Sequence, residues 1–309
     1  MYDVIITEFM DKPAADELGR RYNVLFDPAL VDDRQRLLSL GAGVKAIIVR
    51  NRTQVDRALL ECFPTLQAIG RLGVGLDNID VAACREAGIA VLPAQGGNTV
   101  AVAEYVIAGI LMLRRKAYQG TALVLAGQWP RQAMMGHEMS GSVLGLVGLG
   151  AIAREVAQRA RQLGMQVMAF DPFVETGDAI WADVKRLESL EALLSAADAV
   201  SLHVPLNNET RNLLDASRLA AMRADSVLIN TARGGIVDEA ALAAALRDGA
   251  LAGAMLDVFA EEPLAAGSPL EGAPNLLLTP HIAGVTQESN TRISWITIDN
   301  VRRALEANA

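Results

Sequence analysis

The chain has 309 residues, of which 51% are hydrophobic, a composition typical of a globular protein rather than a disordered one. Its formal net charge of −8 argues against nucleic acid or an anionic membrane surface as a partner, but leaves room for a local basic pocket. The two cysteines, Cys62 and Cys84, form no CxxC or zinc-binding pattern, so we expect a reduced, cytoplasmic protein without a metal site.

Short apolar runs alternate with helical patterns in the first third of the chain. The predicted strands there are residues 4–7, 22–26, 46–49, 68–72 and 90–92. The predicted helices between them are residues 13–20, 32–40, 56–62 and 81–86. Strands that alternate with helices are typical of a parallel sheet covered on both faces.

A long apolar helix, predicted for residues 98–113, interrupts this alternation. It contains Glu104 and is short for a bilayer, so we expect a buried helix rather than a membrane span. A polar, methionine-rich connection follows over residues 114–140. The second alternating series has predicted strands at residues 143–147, 166–170, 199–202, 226–230, 253–256 and 276–279, and a final helix at 287–307.

These two series predict an α/β protein with two parallel-sheet domains. We expect the first domain to cover residues 1–97 and, because the final helix returns to it, residues 283–309. The second domain then covers residues 98–282.

A glycine-rich turn lies at the start of the second series. Gly148, Gly150 and Ala153 form a GxGxxA pattern between the strand at 143–147 and a helical pattern at 154–163. The first glycine permits a tight turn, the second lets a pyrophosphate approach the backbone, and the third position needs a small side chain for packing. The pattern therefore predicts a dinucleotide-binding turn with phosphates at the helix start.

An acidic residue at the end of the next strand strengthens this interpretation. Asp171 follows the strand at 166–170, 23 residues after Gly148, where a carboxylate can accept both ribose hydroxyls of an adenosine. The same carboxylate would repel a 2′-phosphate, which favours NAD over NADP. The alternative is a plain glycine turn beside a surface aspartate.

Polar side chains with chemical potential follow three further strands. Arg233 comes after the strand at 226–230, Glu262 lies in the segment after 253–256, and His281 follows 276–279. An arginine there can bind a carboxylate through two hydrogen bonds, and a carboxylate beside a histidine can orient the ring for proton transfer. The alternative for each residue alone is a surface or structural role.

Five motifs in a fixed order resemble the D-isomer-specific 2-hydroxyacid dehydrogenases. They are RLGVGLDNID (71–80), LGLVGLGAIARE (144–155), NTARGGIVDE (230–239), DVFAEEP (257–263) and LTPHIAG (278–284). The resemblance covers nearly the whole chain. It implies two Rossmann-like or flavodoxin-like parallel-sheet domains with the active site in the cleft between them, and hydride transfer between NAD and a small 2-hydroxy or 2-oxo acid.

The resemblance also implies roles for individual residues. Arg233 would bind the substrate carboxylate, His281 would be the acid and base, and Glu262 would pair with His281. The backbone of Val74 and Gly75 would help to hold the carboxylate. The residues expected to bind or line NAD are Gly148, Gly150, Ala151, Ile152, Asp171, His203, Pro205, Thr210, Thr231, Ala232, Asp257 and Gly284. The family further implies a homodimer through residues 100–142.

A basic segment suggests which hydroxy acid is used. Arg50, Asn51 and Arg52 follow the predicted strand at 46–49, and a partner's Arg131 is a further candidate. In the phosphoglycerate-dehydrogenase-like members, an arginine of this segment meets the substrate's phosphate. We therefore expect a C3 hydroxy acid with a second anion, either 3-sulfolactate or 3-phosphoglycerate. The alternative is that Arg50 and Arg52 are solvated surface charges.

Other functions of the same fold stay open from the sequence. One alternative is a hydroxypyruvate or glyoxylate reductase, whose substrate needs no pocket for a second anion. Another is an NAD-sensing co-repressor, against which the presence of Arg233, Glu262 and His281 argues. A formate dehydrogenase of this fold has a different residue where Glu262 stands, whereas a phosphite dehydrogenase shares the three residues.

Overall fold

The computed structural model describes residues 1–116, 118 and 120–307, and these divide into two compact units. Unit 1 comprises Met1–Asn98 and Val285–Ala309, and unit 2 comprises Thr99–Gly284. Residues 308 and 309 of the first predicted domain, and residues 117 and 119 of the predicted dimer region, lie outside the described residues.

The first part of unit 1 is a parallel sheet with helices between its strands. Its strands are β1 (Val4–Ile6), β2 (Val24–Phe26), β3 (Ala46–Val49), β4 (Ala68–Arg71) and β5 (Ala90–Pro93), paired in the order β2-β1-β3-β4-β5. Its helices are α1 (Lys12–Leu18), α2 (Arg34–Ser39), α3 (Arg57–Cys62) and α4 (Val81–Glu86). Strands β1, β3 and β4 are buried along their whole length, which explains the continuous apolar sequences of β1 and β3.

Aspartates fix where the helices of this sheet begin. The side chains of Asp33, Asp56 and Asp80 each accept a hydrogen bond from a backbone N–H in the first turn of α2, α3 and α4, respectively. Such caps satisfy one of the donors that a helix start leaves unpaired. The segments that follow β2, β3 and β4 therefore end at defined helix starts.

Unit 2 contains a second parallel sheet. Its strands are β6 (Val143–Val147), β7 (Gln166–Phe170), β8 (Lys185–Arg186), β9 (Ala199–Leu202), β10 (Val227–Asn230), β11 (Gly253–Leu256) and β12 (Leu276–Leu278). In the described chain they pair in the order β12-β11-β10-β9-β6-β7-β8. Its helices are α5 (Thr99–Arg115), α6 (Gly120–Leu125), α7 (Ala151–Gln162), α8 (Leu190–Ala196), α9 (Ala216–Ala220) and α10 (Glu239–Arg247).

The strand order of unit 2 reverses at β6, which pairs with β7 on one side and with β9 on the other. In open parallel sheets, ligands bind outside the carboxyl ends of the strands at such a reversal. The fold therefore predicts a ligand-binding site in the loops that follow β6, β7 and β9.

The final helix, α11 (Gln287–Ala307), packs in unit 1. Gly70 in β4 leaves room for it, because a Cβ at this position would lie 2.7 Å from a methyl carbon of Val301 and 2.9 Å from one of Thr297. Val301 is fully buried in the core of the unit. The helix thus brings residues from the end of the chain to the first sheet.

Both predicted α/β sheets are present, and the structure contains elements that were not predicted, among them one strand and one helix of unit 2. Strand β8 has only two residues, Lys185 and Arg186, and both are charged, so it gives no apolar signal. Helix α6 lies inside the segment that we predicted to be a connection. Helix α7 begins at Ala151, three residues earlier than predicted. Within the described residues, every helix is too short or too polar to cross a bilayer.

Candidate active site

His281 and Glu262 lie in the loops that follow two adjacent strands, β12 and β11. The His281 Nδ1 and the Glu262 Oε2 are 2.8 Å apart, a hydrogen-bonding distance. The second oxygen of Glu262 accepts a hydrogen bond of 3.1 Å from the backbone N–H of Phe259, which orients the carboxylate. Both side chains remain partly exposed, so the pair is accessible from solvent.

This hydrogen bond selects one form of the histidine ring. An ionised carboxylate only accepts hydrogen bonds, so the Nδ1 of His281 carries the hydrogen and donates it to Glu262. In the neutral ring, the Nε2 then presents a lone pair that can take a proton. The arrangement suits a group that accepts and returns a proton.

Asp257 holds the loop that carries His281. Its carboxylate is 1% exposed and accepts backbone hydrogen bonds of 2.8 Å from both Ile282 and Ala283, and one of 2.7 Å from the Thr279 hydroxyl. Its carbonyl accepts a further bond from the backbone N–H of His281. His281 itself has a φ of 55°, in the left-handed region that few non-glycine residues adopt. The hydrogen bonds of Asp257 stabilise this unusual backbone.

Arg233 lies in the loop after β10, next to the loop that carries Glu262. Its carbonyl accepts a hydrogen bond of 2.9 Å from the Asn230 amide, which shapes the turn. A Cβ on Gly234 would lie 1.7 Å from the Phe259 carbonyl oxygen, so only glycine lets the two loops touch. Arg233 is half-buried. The sequence-predicted Arg233, Glu262 and His281 therefore follow three neighbouring strands of one sheet.

The glycine turn between β6 and α7 leaves backbone exposed at the start of the helix. Gly148 has a φ of +88°, and a Cβ there would lie 2.7 Å from the carbonyl oxygen of His203. Gly150 caps α7 without a side chain, and a Cβ on it would meet no described atom within 4 Å. Ala153 is fully buried against the sheet. The turn therefore presents free helix N–H groups to a space where a phosphate fits.

Asp171 lies beside this turn, where the sequence predicted a ribose-binding carboxylate. One oxygen accepts a hydrogen bond of 2.7 Å from the backbone N–H of Leu149, and the other accepts one of 2.8 Å from Phe173. The acid is half-buried at the end of β7. The glycine turn and the acid therefore belong to one site.

His203 follows β9 and contributes a neutral ring. Burial lowers its pKa to about 4, because the charged form loses its hydration, and its Nε2 lies 2.9 Å from the Ser201 hydroxyl. His203 is therefore uncharged near neutral pH and can line a cofactor without acting as an acid.

The remaining predicted cofactor residues lie in the loops of the same sheet. The Thr210 hydroxyl donates a hydrogen bond of 2.6 Å to the Pro205 carbonyl and stabilises the loop after β9. The buried Thr231 hydroxyl has no hydrogen-bond partner within the described part of the chain, although buried hydroxyls are usually paired. Ala151 and Ile152 begin α7, Ala232 follows β10, and Gly284 ends unit 2.

These features fit NAD. The open helix start can hold the pyrophosphate, Asp171 can accept the ribose hydroxyls, and the unpaired hydroxyl of Thr231 offers a further contact. The residues that meet these requirements are the ones that the sequence motifs predicted.

The predicted basic segment of unit 1 is organised by a residue that the sequence analysis missed. Glu8, after β1, is 5% exposed, and its two carboxylate oxygens accept hydrogen bonds from the backbone N–H groups of residues 50–53 at 2.8–3.3 Å. Burial alone would raise the pKa of Glu8, but the hydrogen bonds outweigh it and the pKa lies below its usual value. Glu8 is therefore an ionised clamp on this loop.

The side chains of this segment differ in their surroundings. The Arg50 guanidinium donates a hydrogen bond of 2.8 Å to the Asn290 Oδ1 and lies 5.9 Å from the centre of the Phe9 ring. Burial lowers the pKa of Arg50, and the charge of Glu8 opposes this effect. The Arg52 guanidinium forms an exposed ion pair with Asp32. Arg50 is thus the more enclosed of the two cations.

A shallow pocket of about 490 Å³ lies at this segment. Its lining residues all belong to unit 1 and are Glu8, Phe9, Pro28, Val31, Arg50, Asn51, Arg52, Val285 and Asn290. Sequence reasoning identified the three basic-segment residues but missed Phe9 and Asn290. The only sequence signal for Glu8 was an acidic residue directly after a strand, and Asn290 gave none because it reaches the pocket from α11.

The other predicted substrate residues are not among the lining residues of this pocket. Val74 and Gly75 follow β4, and Val74 is 41% exposed. Arg131 is exposed in the segment between α6 and β6. The predicted substrate roles of Val74, Gly75 and Arg131 therefore rest on the family resemblance.

Comparison with known proteins supports the family that the motifs predicted. The profile described as D-isomer specific 2-hydroxyacid dehydrogenase, NAD binding domain, matches residues 107–283, more than half of the chain. An (S)-sulfolactate dehydrogenase from Chromohalobacter salexigens is 68% identical over 309 residues, which is 100% of both chains.

More distant relatives have other names. A D-3-phosphoglycerate dehydrogenase from Archaeoglobus fulgidus is 38% identical over 298 residues, covering 96% of this chain and 56% of the relative. The chain thus spans about half the length of that enzyme. The crystal structure of a D-lactate dehydrogenase from Aquifex aeolicus, complexed with NAD and lactic acid, matches this chain with a TM-score of 0.84 at 27% sequence identity. The match covers 99% of this chain and 96% of the Aquifex aeolicus chain.

These matches confirm the predicted fold, family and cofactor. The catalytic machinery predicted from the motifs lies on the sheet of unit 2, within the segment that the family profile matches. The chain belongs to the D-isomer-specific 2-hydroxyacid dehydrogenase family and is an NAD-dependent 2-hydroxyacid dehydrogenase.

Proposed function

We propose that this dehydrogenase oxidises 3-sulfolactate to the corresponding 2-oxo acid, and that the S isomer is its substrate. The observation that carries the proposal is the end-to-end identity of 68% with an (S)-sulfolactate dehydrogenase. The Arg50 pocket supports this proposal, because a sulfonate at C3 needs a cation to bind it, whereas lactate and glyoxylate have no such second anion.

His281, Glu262 and Arg233 are the proposed catalytic residues. NAD, when bound, accepts the hydride that leaves C2 of the hydroxy acid. The Nε2 of His281 takes the proton of the C2 hydroxyl, and the Glu262 carboxylate stabilises the imidazolium that forms. Arg233 binds the substrate carboxylate through its guanidinium, so that C2 and its hydroxyl are held in one orientation.

The proposed substrate site also uses unit 1. Arg50 binds the sulfonate, and the Asn51 and Arg52 backbone is held in place by Glu8. The backbone N–H groups of Val74 and Gly75 help to hold the carboxylate. Arg131 of a second subunit is a further proposed contact with the substrate.

We also propose a homodimer formed through residues 100–142. Its support is a group of exposed apolar side chains in that region, with Leu125 83%, Trp129 74% and Met135 69% exposed. Large apolar side chains grouped on a surface mark protein interfaces, where Trp and Met are enriched. A sedimentation mass of 32.8 kDa, that of one chain, would contradict the dimer.

The proposed location is the cytoplasm. Both cysteines, Cys62 and Cys84, are free thiols, as expected in a reducing compartment. Cell fractionation that places the protein outside the cytoplasm would contradict this location.

Substrate identity is tested by NADH formation with a panel of hydroxy acids. The panel contains both isomers of 3-sulfolactate, 3-phosphoglycerate, glycerate, lactate and malate. We expect the highest kcat/KM for (S)-3-sulfolactate. A higher value for 3-phosphoglycerate would assign the enzyme to the function of its more distant relatives, and a higher value for glycerate would favour a hydroxypyruvate or glyoxylate reductase.

A further inference from the structure

The charges around the Arg50 pocket balance each other before any substrate binds. Arg50 and Arg52 are positive, and Glu8 and Asp32 are negative. The Glu8 carboxylate accepts hydrogen bonds from the backbone of the loop that carries both arginines, and Asp32 is paired with Arg52. An anion in this pocket therefore meets one enclosed cation, Arg50, whose field is reduced by a buried carboxylate nearby.

The hydrogen-bond donors of the pocket suit a tetrahedral anion. One nitrogen of Arg50 is engaged by the Asn290 Oδ1 at 2.8 Å, and a guanidinium has further N–H groups for other acceptors. With its oxygen accepting from Arg50, Asn290 has an amide nitrogen left to donate. Phe9 lies by the guanidinium as an apolar wall. The pocket thus offers several donors but little net positive charge.

Sulfonate and phosphate have the same shape but differ in charge. A sulfonate carries one negative charge at all ordinary pH values, whereas a phosphate monoester carries about −1.5 to −2 at pH 7, with a second pKa of about 6. The second negative charge of a bound phosphate would lose part of its hydration beside Glu8, and no second enclosed cation would compensate for that loss. The singly charged group avoids this cost.

We propose that the unit 1 pocket selects a singly charged tetrahedral anion over a doubly charged one, with Glu8 and the Asp32–Arg52 pair setting the charge. In this way the enzyme separates 3-sulfolactate from 3-phosphoglycerate. The proposal rests on the proposed function, since it concerns the C3 group of that substrate. It assigns specificity to residues that do not themselves contact the reacting atoms.

The pH dependence of competition tests the charge directly. The inhibition constant for 3-phosphoglycerate against 3-sulfolactate oxidation is measured at pH 7.5 and at pH 5.5, and is divided by the Michaelis constant for 3-sulfolactate at the same pH. Effects of pH on the shared catalytic groups largely cancel in this ratio. We expect the ratio to fall by about tenfold or more at the lower pH, because most of the phosphate is then singly charged.

A charge substitution outside the catalytic residues tests the role of Asp32. Asp32→Asn releases Arg52 from its exposed ion pair and adds one positive charge near the pocket. We expect the same ratio to fall about threefold at pH 7.5, since the added cation favours the doubly charged ligand. Asp16→Asn is the matched control, because Asp16 is also exposed and paired, with Lys12 on α1.

The outcomes separate this proposal from the proposed function. Absence of NADH formation from 3-sulfolactate overturns the proposed function. Turnover of 3-sulfolactate with a ratio that does not fall at pH 5.5 overturns the charge selection alone. The charge selection is also overturned if Asp32→Asn changes the ratio no more than Asp16→Asn does. Tighter binding of 3-phosphoglycerate than of 3-sulfolactate at pH 7.5 would overturn it as well.

Discussion

At the scale of single residues, Asp257 shows how a buried carboxylate holds the loop that carries His281, the proposed acid and base. The motif predicted it as a residue that lines NAD, and the structure adds three side-chain hydrogen bonds to residues 279–283. Because His281 has a left-handed backbone, its ring direction depends on these bonds. We infer that Asp257 is a positioning residue for His281.

The substitution Asp257→Asn tests this role. An amide nitrogen would face a backbone N–H where the carboxylate now accepts, so the loop would shift and misplace His281. We expect kcat to fall on the order of 100-fold, because a displacement of about 1 Å has this effect on well-oriented groups. Steady-state kinetics at saturating NAD measures the loss.

The matched control is Thr279→Ser, which keeps the hydroxyl that donates to Asp257. It should retain nearly the full kcat. A kcat for Asp257→Asn within threefold of the control would show that the loop holds His281 without this carboxylate.

At the scale of elements, the turn between β6 and α7 uses its two glycines for different purposes. Gly148 is required by the fold, because a Cβ would clash with the backbone of His203 and the φ is positive. Gly150 is not required by the fold, because a Cβ there would meet no described atom within 4 Å, and we propose that it keeps space for the NAD phosphates. Exchanging each glycine for alanine should therefore separate stability from binding.

Gly148→Ala should lower the free energy of unfolding by about 2–4 kcal/mol, from backbone strain and the clash. Gly150→Ala should change it by less than about 1 kcal/mol but raise the Kd for NAD about tenfold or more, because the methyl group occupies the phosphate space. Urea denaturation and calorimetric titration with NAD measure the two quantities. Equal effects of both substitutions on NAD binding and on stability would contradict this division.

The elements themselves could largely be predicted from the sequence. The strands of both sheets except β8 coincide with apolar runs, and the helix α5 with a long apolar pattern. Strand β8 was missed because two charged residues at the edge of a sheet need no apolar pattern. Helix α6 was missed because the whole of residues 114–140 was predicted to be a connection from its polar, methionine-rich composition.

At the scale of the whole molecule, the proposed function distributes two tasks over two units. Arg233, Glu262 and His281 belong to unit 2, whereas Arg50 and its pocket belong to unit 1. Motifs predicted the first group because each residue follows a strand within a short recognisable segment. The pocket could be predicted only in part, since Asn290 is 240 positions from Arg50 and meets it through the packing of α11.

In the proposed function, the Arg50 pocket recognises a second anion at C3 of the substrate. Its role is tested by kcat/KM for 3-sulfolactate and for lactate, measured for the wild-type enzyme and for Arg50→Ala. We expect a loss on the order of 100-fold for 3-sulfolactate, the effect of removing a charged hydrogen-bonding partner, and a loss below threefold for lactate. Equal losses for the two substrates would show that Arg50 does not recognise the C3 group.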